Sequence, residues 1–238
     1  ITKGPKAEHP SSWLYALPEL HERRAPGATC MNALAALESG QKVNNNNKGC
    51  GGVMRVAPVA LCRDLMDMPV SFVTTLGGTV AEVTHQHPLG FMPAALMTDL
   101  LRRVIDSECE NNKENLKACV AAATETVRKL YGFMYPGDWR VLKVLVDKAV
   151  ELADADLKDV EAIGQLGEGW VGEEALAIAL YCALKHYDSF EDAVVAAVNH
   201  NGDSDSTGAI CGNLMGLVYG YDALPDYYKN KVELQDVL

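Results

Sequence analysis

The chain has 238 residues, 48% apolar and 22% charged, an ordinary globular composition that excludes a long disordered chain. Its net charge of −11 lies in the C-terminal part: residues 1–100 carry 8 basic and 8 acidic side chains, residues 101–238 carry 13 and 24. No run reaches the roughly 18 apolar residues of a membrane helix, and no basic stretch interleaved with aromatics offers a phosphate backbone the right field, so neither a membrane nor a nucleic-acid partner is expected.

Ile1–Pro26 carries four prolines and little periodicity. Because the chain begins on Ile1 rather than methionine, a processed or cropped start is expected. A period of 3.6 predicts a helix over Thr29–Ser39. There follows Asn44-Asn-Asn-Asn-Lys-Gly-Cys-Gly-Gly-Val-Met-Arg-Val-Ala-Pro58, a polar, glycine-rich loop entering a second predicted helix, Met54–Met66. Backbone N–H groups freed by consecutive glycines can cradle a phosphate, with Lys48 or Arg55 adding charge. The order does not match a Walker A loop, and a plain flexible turn is the competing reading.

Helices are predicted next over Ser71–Thr84 and Met92–Ile105, with Thr84-His-Gln-His-Pro88 between them. A His-x-His with no third ligand nearby is more often a cap or hydrogen-bonding element than a metal site. Further helices are predicted over Lys113–Tyr131, Arg140–Leu152, Glu173–His186 and Phe190–Val198, while Glu108–Lys117 and Asp154–Glu161 read as exposed acidic turns and faces. Glu173–Leu184 is apolar all round after its acidic start, which predicts a central helix enclosed by others.

Asn199-His-Asn-Gly-Asp-Ser-Asp-Ser-Thr-Gly208 then stands before a helix predicted over Thr207–Gly220. Two carboxylates and several hydroxyls in so few residues suit a hard cation; the competing reading is helix capping, which needs one such residue. An EF-hand is rejected, because its twelfth position would be Leu214. Gly208, Gly212, Gly216 and Gly220 follow at four-residue spacing, which predicts a tight helix contact along that face. A last helix is predicted over Asp226–Val237. Scarce aromatics, no alternating strand and about ten helices make the expected class all-α, in a single domain spanning residues 1–238. The seven cysteines, at 30, 50, 62, 109, 119, 182 and 211, show no C-x-x-C pair and read as reduced core thiols of a cytoplasmic protein.

Three ordered motifs, Lys48-Gly-Cys-Gly-Gly-Val-Met-Arg-Val-Ala-Pro58, Thr84-His-Gln-His-Pro88 and Gly202-Asp-Ser-Asp-Ser-Thr-Gly208, together with Gly169-Trp-Val-Gly-Glu-Glu-Ala-Leu176, resemble the ADP-ribosylglycohydrolase family. The resemblance implies a compact, multi-helix orthogonal bundle and hydrolysis of the glycosidic bond joining ADP-ribose to a protein side chain or small molecule. It implies two Mg²⁺ ions, or Mn²⁺, with Asp203, Asp205 and Ser206 as ligands. Gly49, Cys50, Gly51, Gly52 and Met54 would line the diphosphate and adenosine side, with His87 near the nucleotide. The family also carries an N-terminal part with a Gly-Asp-x-x-Gly segment, an acidic residue and a Thr-Asp-Asp motif, none of which occurs here. The catalytic residue is therefore unassigned and half the metal shell is expected to be missing. The alternative is a non-catalytic module that binds ADP-ribose or a related nucleotide. Either reading needs Asp203 and Asp205 to face Gly49–Gly52 across one solvent-reachable hollow.

Overall fold

The computed structural model describes residues 16–22, 24–106 and 112–235. Among the described residues the chain forms α-helices and short 3₁₀ turns and no strand: α1 (Ala28–Glu38), α2 (Ala57–Leu61), α3 (Val70–Glu82), α4 (Pro88–Asp106), α5 (Lys113–Tyr131), α6 (Pro136–Leu152), α7 (Asp159–Ile163), α8 (Gly172–Lys185), α9 (Phe190–Val198), α10 (Ser204–Tyr219) and α11 (Asp226–Asn230). The class is all-α, as expected. Cys109 and the end of the C-terminal predicted helix at Val237 lie outside the described residues, as does the proline-containing start before residue 16.

Two helices carry the core. Every residue of α8 except Glu174 and Lys185 is buried, which matches its continuous apolar sequence, and α4 is buried from Leu89 through Arg102. Around them α6, α9 and α10 pack on α8, and α3 and α5 pack on α4. The α3–α4 approach is close enough that a Cβ on Gly77 would sit 2.0 Å from Thr98 Oγ1. Pro93, inside α4, removes the amide that Leu89 C=O would otherwise accept. Gly172 packs against that carbonyl, where a Cβ would come within 2.7 Å.

Three expectations are corrected by the structure. The helix predicted over Met54–Met66 is broken into the short α2 and a 3₁₀ turn at Arg63–Leu65. Pro58, near the start of α2, cannot donate to a preceding carbonyl, so Met54–Val56 stay outside that helix. Asp154–Glu161 is exposed or half-exposed throughout, as expected, and within it Asp159 opens α7. There Asp159 Oδ1 accepts the Tyr181 hydroxyl at 2.7 Å and also lies 3.0 Å from His186 Nε2, tying the segment to α8. Helix α11 ends at Asn230, and the chain turns at Lys231.

The glycine face of α10 is the third. A Cβ on Gly208 would lie 2.5 Å from Val198 Cγ1 on α9, so that position is a close contact. Gly212 and Gly216 have nothing within 4 Å of a built Cβ, and Gly220 ends the helix at φ +73°. The four-residue spacing thus arises from one close packing site, two open helix positions and one terminating residue.

These positions should respond oppositely to alanine. Gly212→Ala is expected to raise stability by about 0.8–1 kcal/mol, the helix-propensity difference, because nothing opposes the new methyl. Gly208→Ala is expected to lose about 1–3 kcal/mol through overpacking against Val198. Urea denaturation of the two variants checks the pair; equal shifts would refute the packing difference.

Candidate functional site

Residues 168–172 form a seam between the glycine-rich loop and the start of α10. Gly49 and Val171 form an isolated antiparallel bridge, with Cys50 N donating to Trp170 O at 3.2 Å and Gly172 N to Lys48 O at 2.8 Å. Two residues earlier, Glu168 O accepts the Asp203 amide at 2.7 Å. The Glu174 carboxylate reaches back from the first turn of α8 and accepts the amides of Glu168 at 3.0 Å and Gly169 at 3.1 Å. Gly169 takes φ +83°, a region that favours glycine. Gly202 approaches so closely that a Cβ would fall 1.8 Å from Glu168 O.

The seam brings the two sequence motifs to one cleft of about 840 Å³. Asp203, Asp205 and Ser206 line it together with Gly49, Cys50, Gly51 and Met54. Of the remaining expected residues, Gly52 is buried behind the wall against Ala81 and the Gly90 carbonyl. His87 also lies away from the cleft: its Nδ1 accepts the Leu89 amide at 3.0 Å at the start of α4, and its Nε2 lies 3.8 Å from Asp138. The histidine that reaches the cleft is His85, two residues earlier.

Capping does not account for Asp203. It stands at the N-cap of α10, yet its side chain makes no cap hydrogen bond. Its Oδ2 instead accepts the Cys50 thiol at 2.8 Å, and Cys50 Sγ also lies 3.2 Å from Ser206 Oγ. Burial, then donation to Asp203, pushes the Cys50 thiol up to about 12, so it stays protonated. Asp205 shares a hydrogen bond with Asp203, and this, followed by partial burial, raises its pKa. The neighbouring Asp203 carboxylate therefore favours the protonated form of Asp205 relative to an isolated aspartate.

The Asp loop is braced from behind. His200 Nδ1 accepts the Gly202 amide at 3.0 Å, leaving Nε2–H for Thr207 Oγ1 at 2.9 Å, and the Thr207 hydroxyl donates to Ala197 O at 2.7 Å. Of the two cations proposed for the glycine loop, Lys48 is paired with the buried Glu173 outside the cleft. Arg55 lines the cleft, with Nη2 donating to Val80 O at 3.1 Å, Ala81 O at 3.3 Å and the Thr84 hydroxyl.

The expectation of two Mg²⁺ or Mn²⁺ ions is corrected. Among the described residues no group of three or more His, Cys, Asp or Glu is placed to hold a metal ion. Mg²⁺ demands a near-octahedral shell of oxygens, and here the converging acidic set stops at Asp203 and Asp205, with a protonated thiol already on Asp203 Oδ2. The donor set does not fit the ions.

Sequence reasoning missed several lining residues: Arg24, Ala25, Gly27, Thr29, Cys30, Asn47 and Trp170. Residues 24–30 reach the cleft through the approach to α1 and its first turn, and no motif marks them. Trp170 was legible only as part of the segment before α8. Its side chain is exposed, with Nε1 donating to Glu168 at 3.2 Å.

A family model described as ADP-ribosylglycohydrolase matches residues 6–238. The chain is 24% identical over 205 residues to human "ADP-ribosylhydrolase ARH3", covering 78% of this chain and 54% of that one. It is 22% identical over 272 residues to "ADP-ribosylhydrolase ARH1" of Dictyostelium discoideum, covering 90% and 67%. The chain spans about half the length of most of the curated relatives it matches. A solved structure named "ADP-ribosylglycohydrolase-related protein complex" superposes with a TM-score of 0.60 at 23% identity, over 89% of this chain and 65% of that one. That similarity shows a shared helical fold.

Two outcomes follow from the site chemistry. Millimolar Mg²⁺ or Mn²⁺ is expected to leave the melting temperature of the chain unchanged, since a ligand selective for the folded state would raise it. A rise abolished by Asp203→Asn would overturn the correction. Separately, burial and then the Arg55 charge hold His85 at about 4, below the usual 6.5. The unfolded chain therefore takes up this proton first, and stability from His85 is complete above about pH 6.5 and lost as pH falls toward 4. His85→Gln should flatten that part of a denaturation-versus-pH curve; an unchanged slope would show that His85 does not contribute.

Proposed function

This chain belongs to the ADP-ribosylglycohydrolase family, and we propose that it is an ADP-ribose-binding module whose cleft takes the ADP-ribosyl group of a free nucleotide, a modified protein or a modified small molecule. The observation that carries this reading is the single cleft in which the glycine loop faces Asp203 and Asp205. Its volume of about 840 Å³ suits a small-molecule site, for which about 300–1,000 Å³ is usual.

The chemistry of the walls divides along the cleft. Asp203 and Asp205 can accept hydrogen bonds from neighbouring sugar hydroxyls, and Ser206 Oγ lies beside them. Arg55 contributes positive charge on the lining, which suits a diphosphate, while Arg24, also on the lining, is paired with Glu233. Trp170 offers an exposed aromatic face on which a base can stack. A nucleic-acid polymer is disfavoured by the net charge of −11. Among the described residues no helix is long and apolar enough to cross a membrane.

Hydrolysis is the second reading, supported by family membership and by the hydrogen bond between Asp203 and Asp205, which raises the pKa of Asp205. Two carboxylates with separated protonation can act as acid and base at a glycosidic bond. Binding is the better-supported role for this chain, because among the described residues no further acidic group joins that pair in a metal-holding cluster.

Isothermal calorimetry with ADP-ribose, alongside an assay for ADP-ribose released from ADP-ribosylated arginine and serine peptides, separates the readings. Saturable binding without release is expected, with Asp203→Asn weakening binding about tenfold, the equivalent of about 1.4 kcal/mol. Turnover abolished by Asp203→Asn would establish the second reading; neither binding nor turnover would leave a purely structural helical domain.

A further inference from the structure

His85 occupies an unusual position: its residue is 3% exposed, yet the imidazole lines the cleft. A Cβ on Gly51 would lie 3.2 Å from His85 Cε1 and 3.4 Å from Nε2, and one on Gly49 would lie 3.4 Å from Nε2. The bare glycines keep that edge of the ring open. Among the described residues Nε2 has no hydrogen-bond partner, whereas Nδ1 lies 2.8 Å from Thr84 Oγ1.

The direction of the Thr84–His85 hydrogen bond is fixed by counting protons. Arg55 Nη2 donates to Thr84 Oγ1, and a guanidinium cannot accept. The hydroxyl proton therefore has two possible destinations, His85 Nδ1 at 2.8 Å or Ala81 O at 3.5 Å. Ala81 O already receives the His85 amide at 2.9 Å, the Thr84 amide at 3.1 Å and Arg55 Nη2 at 3.3 Å. It has neither the distance nor a free lone pair. The hydroxyl donates to Nδ1, which must then be unprotonated, and the ring proton resides on Nε2.

We propose that Arg55 and Thr84 are positioning residues for ligand binding, forming a one-way relay from guanidinium to hydroxyl to imidazole that makes His85 a neutral Nε2–H donor aimed into the cleft between Gly49 and Gly51. This deepens the binding reading and rests on it only for the identity of the ligand. The acceptor is an oxygen of the bound molecule. A neutral ring cannot act as a general acid at neutral pH, and its protonated nitrogen cannot act as a base, so the role is recognition. Arg55 is the charged group that acts on the ring, and its effect, with burial, disfavours the imidazolium. The same relay accounts for Arg55 lining a cleft while its Nη2 hydrogens are directed inward to the end of α3.

Two-bond ¹H–¹⁵N correlation spectra of the 238-residue chain, assigned with His85→Gln, test the relay without any ligand. The expected spectrum shows His85 as the neutral Nε2–H tautomer from pH 6 to 8, retained in Thr84→Ser and converted toward a mixture in Thr84→Val. An Nδ1–H tautomer or an imidazolium at pH 7 in the unmodified chain would overturn the proposal, as would an unchanged tautomer in a folded Thr84→Val. ADP-ribose titrations then give the consequence: about tenfold weaker binding for Thr84→Val, matching about 1.4 kcal/mol, with Thr84→Ser near the unmodified value. Equal affinities for the three proteins would refute the recognition role. If ADP-ribose fails to bind any of them while the tautomer pattern holds, the ligand assignment fails and the relay stands.

Discussion

The site depends on a short backbone seam. Residues 168–172 receive the Asp203 amide at one end and pair with Lys48–Cys50 at the other, so loops more than 150 residues apart in sequence are registered by three main-chain hydrogen bonds. The geometry tolerates little substitution, because Gly202 leaves no room for a Cβ beside Glu168 O and Gly169 sits at positive φ. Glu174 fixes the near end of the seam by accepting two of its amides, and α8 anchors it in the core. A rigid central helix thereby transmits its position to both walls of the cleft.

The polar chemistry gathered there is predominantly of neutral or hydrogen-bonded groups. Cys50 remains a thiol because burial and the neighbouring carboxylate both oppose the thiolate. His85 remains neutral because burial and Arg55 oppose the imidazolium. Asp205 is pushed toward protonation by Asp203. Each effect disfavours adding charge of the sign already present or placing it in a poorly solvated wall. This arrangement is also why a family resemblance that implies two divalent cations does not carry over whole: a site for hard cations needs several ionised oxygens free to converge.

Much of the helical layout was readable from period and composition. The unbroken apolar run of Ala175–Leu184 announced a buried central helix, and Lys113–Tyr131 and Phe190–Val198 begin and end where their periodicity does. The misreadings share a cause, which is that a local pattern admits more than one environment. Pro58 breaks a run whose apolar content alone looked continuous. The regularly spaced glycines of α10 suggested one packed face, but only Gly208 meets a neighbour closely. Of the two histidines of Thr84–Pro88 the family resemblance pointed to His87, but the turn between α3 and α4 sends His85 to the cleft and His87 to the start of α4.

What the amino-acid sequence determined by itself is the set of local preferences: helices where apolar residues recur, interruptions at proline, a glycine-rich loop able to approach another backbone, and an Asp-rich segment opening α10. These follow from steric and solvation properties that each residue brings with it. Tertiary structure alone decided which of those polar groups meet, that Asp203 takes a thiol instead of capping its helix, and which histidine lines the cleft. The reason is that hydrogen-bond partners and protonation states depend on distances across the fold, and those distances are set by how α4 and α8 pack.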